Sequence, residues 1–149
     1  MLMTGSPHID AERAFSRAAR ARRRASIMRW LRRAPRAYEG LAVYDARQVR
    51  TGGAAAGRRI REIPLSAIGG TLEPTRATLF DGAFRPAAAA RARWQRLWLA
   101  EHRGAVLPPI SVVPVGDGYA VRDGHHRVSV ARARGALTID AAVDSLPAQ

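Results

Sequence analysis

The sequence predicts an α+β fold: a small domain behind an arginine-rich helical extension. Three observations predict it. Beyond about residue 60, short apolar runs bounded by Gly and Pro alternate with stretches of helical composition. A Gly-Asp-Gly turn at 116–118 joins two strand-like runs, and the second leads directly into a helix that opens at a glycine. The charge is divided unevenly: residues 1–60 hold 14 arginines against 4 acids, whereas residues 61–149 hold 11 against 8.

A chain of 149 residues fits one compact domain plus an extension. Its hydrophobic fraction of 47% is enough for a modest core. The formal charge is +13, and every basic residue is arginine, whose planar fork suits phosphate and carboxylate. The absence of cysteine excludes disulfides and thiolate metal sites, and the four histidines lack metal-ligand spacing, so no metal site is expected. No apolar run approaches the ~18–20 residues that span a bilayer, and no apolar segment of secretory type is found. A cytoplasmic protein is expected.

Ser6-Pro7 signals a helix start, with Ser as cap and Pro in the first turn. The helix is expected to run to about residue 33, ended by Pro35. Ala11, Phe15, Ala18, Ala25, Met28 and Leu31 form a narrow apolar stripe along it. Arg13, Arg17, Arg20 and Arg24, at i, i+4, i+7 and i+11, form a basic one. The basic stripe reads either as a contact for nucleic acid or an acidic surface, or as a solvated helix face. Aromatic residues do not alternate with the arginines as they do in single-strand binders. Leu41–Arg50 reads as a short helical element and Thr51–Arg59, rich in Gly and Ala, as a linker. The extension is therefore placed at residues 1–59 and the domain at 60–146.

Within the domain, Ile60, Ile63, Leu65 and Ile68 read as a first strand, at a sheet edge because of Pro64. Residues 69–86 read as a long ordered or functional loop. Pro86 opens a helix closed by Gly104, with Ala90, Trp94, Leu97 and Trp98 on one face. The two tryptophans are expected in the core rather than as base-stacking platforms. A strand, the Gly-Asp-Gly turn and a second strand come next, then a helix from His125 to Gly135, and Thr138–Leu146 as a final strand.

The most informative stretch is Asp123-Gly124-His125-His126-Arg127, at the junction of strand and helix. Gly124 permits positive φ and close approach of a ligand to the backbone. The first helical turn has N–H groups without intrahelical partners and carries partial positive charge. Two histidines and an arginine at that point suit a phosphate. Histidine there favours its neutral form, and so a hydrogen-bonding or basic role. The plain alternative is a capped helix start with exposed polar residues.

The segment Ile110–Gly135 resembles the nucleotide-binding segment of the ParB/sulfiredoxin superfamily, in particular its ParB-like N-terminal (nuclease-named) domains. Many of these carry Asp-Gly-His-His-Arg, as here, and the related Asp-Gly-His-Thr-Arg resembles the free-serine kinases of the superfamily. EIPLSAI, residues 62–68, is similar to the superfamily's opening strand. Leu72-Glu73-Pro74-Thr75-Arg76 stands where members place a loop bearing Gln-Pro-Arg or a catalytic acid. The resemblance covers residues 60–146 and implies a mixed sheet with packed helices. It implies that Gly124, His125, His126, Arg127 and Arg76 hold the phosphates of a nucleoside triphosphate, CTP or ATP with magnesium. Glu73 is then the candidate general base, with Asp123 and His126 as further catalytic candidates; Asp123 would orient a histidine or, through water, the metal.

The chain departs from the superfamily's named members in two ways. His125 stands where sulfiredoxins have their reductive cysteine, so their chemistry is not implied. It also replaces the glutamate of the Gly-Glu-Arg-Arg pattern of partition proteins, and the sequence shows no helix-turn-helix segment. The expected function is a ParB-like nucleotide-binding module whose arginine arm touches nucleic acid, with a homodimer as a candidate assembly. The alternatives are a small-molecule kinase or other phosphotransferase, a nuclease, and an inert protein-interaction adaptor. The core acids are too scattered to favour a metal-dependent nuclease.

Overall fold

The computed structural model describes residues 5–32, 40–52 and 57–147. Pro35, the expected helix stop, and residues 53–56 of the expected linker lie outside the described residues. The elements are α1 (Pro7–Leu31), β1 (Ala42–Val43), β2 (Thr51–Gly52), β3 (Arg58–Pro64), β4 (Ile68–Thr71), α2 (Arg91–His102), β5 (Ile110–Val115), β6 (Gly118–Asp123), α3 (His125–Ala133), β7 (Thr138–Asp144) and β8 (Leu146–Pro147). Six strands form one sheet in the order β1-β4-β6-β5-β7-β3, and β2 and β8 pair separately. In the large sheet β1/β4, β4/β6 and β5/β7 are parallel, while β5/β6 and β3/β7 are antiparallel. The fold is α+β with a mixed sheet, as predicted.

The sheet's core face is built by alternation. Ile63, Ile110, Val112, Val121 and Ala141 are buried in one cluster with Val128 and Ala131 of α3, and with Phe80 and Phe84 of the segment before α2. The opposite face carries a smaller cluster of Val113, Ala120 and Val49, with Tyr44 and Leu72 packed against it. Helix α3 therefore lies on the sheet, and Val130 on its other side reaches a third cluster shared with α2 and α1. There Trp94 is fully buried, and its indole N–H donates to Ser129 Oγ at 2.9 Å. Phe15 of α1 meets it edge to face, the centroids 5.5 Å apart. Both tryptophans of α2 are core residues, as expected.

The first half of α1 docks through Ala11, Ala14, Phe15 and Ala19, spaced as one helical face. The predicted stripe does not continue along it: Met28 and Leu31 are exposed, with Ile27 and Trp30 beside them. Segments from both sides of residue 59 share this body, since α1 packs on α2 and β1 pairs with β4.

Three local expectations are corrected. Leu41–Arg50 is not helical. It holds β1 and a short 3-10 turn at Ala46–Gln48, opened by a capping box in which the Asp45 carboxylate takes the Arg47 and Gln48 N–H groups. Ile68 does not extend the first strand. A 3-10 turn over Leu65–Ala67 intervenes, and Ile68 begins β4 on the far side of the sheet. The stretch 69–86 is thus not all loop: it contributes β4 and a 3-10 segment over Pro74–Leu79. β3 is an edge strand, as Pro64 predicted.

Candidate anion site at the start of α3

β6 ends at Asp123 and α3 begins at His125, so one residue, Gly124, makes the turn. Its φ of 106° is left-handed, and a Cβ there would lie 2.5 Å from Ile110 Cγ2. No side chain caps the helix. The N–H groups of the first turn have no intrahelical acceptor.

That cavity has a volume of about 210 Å³, and Glu73, Arg76, Asp123, Gly124, His125, His126 and Arg127 all line it. Seven residues singled out from two separate stretches of sequence therefore meet at one place. The sequence signal missed Arg93, which reaches the cavity from α2, and Arg122, which reaches it from β6. In Arg91–Arg96 the arginines are too frequent for their spacing to mark one of them. It also missed Thr71, at the end of β4, which lay within an expected loop. Arg13, Arg17, Arg20 and Arg24 lie on α1 and line no part of this cavity.

Both histidines are buried and rigidly placed. His125 Nε2 lies 2.6 Å from Thr71 Oγ1, which also receives the Glu73 N–H at 2.8 Å. Phe80 stacks on the His125 ring and meets the His126 ring edge-on. Burial is the main cause that lowers both imidazoles from 6.5 to about 4; Arg76 and His126 depress His125 further, and Arg93 and Arg76 depress His126. Near neutrality the pair consists of uncharged donors and acceptors. The helix end was expected to hold them neutral, but burial is the larger cause. Thr71 orients His125 through its hydroxyl.

The positive charge comes from arginine, and the four arginines differ. Arg127 donates from Nη1 to Pro108 O and lies 3.8 Å from the Asp123 carboxylate. Arg122 pairs with Asp144 at 3.1 Å. The guanidiniums of Arg76 and Arg93 make no ion pair among the described residues. The motif arginine is thus tied into the fold, while two arginines from other elements line the cavity without an ion pair among the described residues. Among the described residues, no group of three or more His, Asp or Glu side chains is placed to hold a metal ion.

No protein-family model matches the chain, and no curated protein does. Among solved structures, the chain is similar to the crystal structure of a sulfiredoxin from Arabidopsis thaliana. The identity is 23%, the match covers 58% of this chain and 85% of that one, and the TM-score is 0.42. No helix among the described residues is long and apolar enough to cross a membrane.

Proposed function

We propose that this protein binds a nucleotide through its phosphates in the cleft before α3. The observation that carries this reading is the pair Arg76 and Arg93, which make no ion pair among the described residues and line one cavity with the start of α3, whose N-terminus no side chain caps. Neutral His125 and His126 add hydrogen bonds without adding charge, and so orient the phosphates rather than attract them. Glu73 and Asp123 are two carboxylates at the same cavity, a number that suits magnesium arriving with a triphosphate rather than a metal held by the protein alone. Arg127 acts as a positioning residue that joins the start of α3 to the strand-entry loop at Pro108.

Glu73 favours a second reading, phosphotransfer to a hydroxyl acceptor with Glu73 as general base, because it lies at the cleft where the transferred phosphate would sit. Nucleic acid would be a separate partner, met by Arg13, Arg20 and Arg24 on the exposed side of α1.

The test is thermal stabilisation by CTP, ATP, ADP and pyrophosphate, with and without magnesium. A ligand at ~100 times its dissociation constant stabilises by about 2.7 kcal/mol. The Arg76→Ala/Arg93→Ala variant is expected to keep the unliganded melting temperature and lose the shift. Arg127→Ala is expected to lower the unliganded melting temperature itself. No shift with any of the four ligands would overturn the reading and leave an interaction adaptor.

A further inference from the structure

A second, larger cavity lies away from the candidate site. It is a groove of about 780 Å³ between α1, the 83–86 loop and the end of α3 with residues 136–137. Its walls are mainly apolar: Leu65, Phe84, Trp98 and Leu137 face Ala14, Ala18 and Ala21 of α1. Its charged lining has one sign. Arg17, Arg85, Arg132 and Arg134 contribute to it, and no acidic side chain does. Asp81 and Glu101 pair with Arg85 and Arg134 from outside the lining.

The wall around Arg132 is held in a fixed shape. Phe84 has a φ of 59°, a conformation that a non-glycine residue keeps only when its surroundings impose it. Here its ring is fully buried, and the Asp81 carboxylate takes the N–H groups of Ala83 and Arg85 on either side of it, at 3.0 and 2.9 Å. Arg132 lies over the Phe84 ring and donates from Nη2 to Leu65 O at 2.8 Å, yet its Nε is buried with no partner. Leu137, at the rim, is 83% exposed. Apolar walls of this extent with a few fixed polar groups are the usual make-up of a small-molecule site, and the volume lies within its usual range.

We infer that the groove binds an amphipathic monoanion, an apolar chain or ring body bearing a single carboxylate or phosphate. The body lies along Phe84, Trp98 and the alanines of α1, and the head lies at Arg132. Apolar burial supplies the affinity and the one-signed lining supplies the selection against neutral and cationic analogues. This site is separate from the phosphate cleft and does not depend on it.

Calorimetric titration of the full chain with decanoate, decyl phosphate, decanol and decylamine, each below its micelle concentration, tests the inference. Saturable one-to-one binding of an anion is expected, at least about tenfold tighter than decanol, with decylamine weaker still. The tighter of the two anions identifies the head group. Arg132→Met is expected to remove the preference for the anion over decanol. Because Arg132 also holds Leu65, a second variant serves as control: Ala21→Phe, at an exposed position on α1, fills the groove and is expected to abolish binding without unfolding the protein. Pyrophosphate is expected to leave decanoate binding unchanged. Absence of binding, decanol as tight as the anions, or anion binding that survives Ala21→Phe would each overturn the inference.

Discussion

Thr71, the last residue of β4, lies 2.6 Å from Nε2 of His125, the first residue of α3, across 54 positions of sequence. The same hydroxyl receives the Glu73 N–H. One buried oxygen therefore orients the first histidine and fixes the carboxylate-bearing loop beside it.

Replacing Thr71 by valine keeps its shape and removes that oxygen. The imidazole nitrogen and the Glu73 N–H then both lose the partner that the hydroxyl supplies. The expected cost is about 2–3 kcal/mol, read as a lower urea midpoint at unchanged slope. Thr71→Ser is expected to recover most of it. A Thr71→Val protein within experimental error of the parent would mean that the hydroxyl contributes nothing to stability.

The histidine pair sets a pH dependence of stability. Both imidazoles titrate at about 4 in the folded protein, against an ordinary value of 6.5, with burial as the main cause. Between those values the unfolded chain binds more protons than the folded one. Stability contributed by the neutral pair is therefore complete above about 6.5, declines as pH falls through the window, and levels off below about 4. Urea midpoints measured across this range should fall with acidification. A His125→Gln/His126→Gln variant should show a flatter profile over the same interval, and an identical slope in both proteins would assign the dependence to other groups.

How much of this was legible in the sequence varies with the physics of each element. Pro64 marked β3 as an edge strand because it has no N–H to donate to a second neighbour. Gly116, Gly124 and Gly135 punctuated the chain where β5, β6 and α3 meet their turns. β4 was hidden because Gly69 and Gly70 read as loop. Gly70 is in fact required by proximity: a Cβ there would lie 2.2 Å from Ala42 O of β1, a meeting of distant segments that no local pattern encodes. The site was legible in its motif and not in its balance of charge. Arg127 is conspicuous in sequence, but Pro108 and Asp123 engage it, whereas Arg93 became a site residue only when α2 packed on α3.

Gly124 is expected to tolerate no side chain. Alanine there would combine a left-handed φ of 106° with a Cβ 2.5 Å from Ile110 Cγ2 and 2.8 Å from its Cβ. The conformational part alone costs about 1–3 kcal/mol, and the overlap adds to it. Ile110→Ala removes the Cγ2 part of the overlap and leaves the Cβ contact and the left-handed φ, so the two substitutions should not be additive: the double variant is expected to be more stable than the sum of the single losses implies. Strict additivity, measured by denaturant unfolding of all four proteins, would show that β5 and the turn do not meet as described.

The role of α1 has to be tested by substitution, because removal of residues 1–59 would uncover Trp94 and take away the strand paired with β4. Phe15 is fully buried against Trp94, so Phe15→Ala is expected to cost about 3–5 kcal/mol, as large-to-small changes in a packed core do. The arginines of the same helix separate from this effect. Arg13, Arg20 and Arg24 are exposed, and Arg13→Gln/Arg20→Gln/Arg24→Gln should leave the melting temperature nearly unchanged. If α1 binds nucleic acid, anisotropy titrations of a duplex of arbitrary sequence will show the logarithm of the affinity falling linearly with log salt, with a slope reduced by roughly 0.9 for each phosphate that the variant no longer neutralises. An unchanged slope and affinity at the same salt would make the basic stripe a solvated face, and α1 a structural helix whose contribution is made through Phe15.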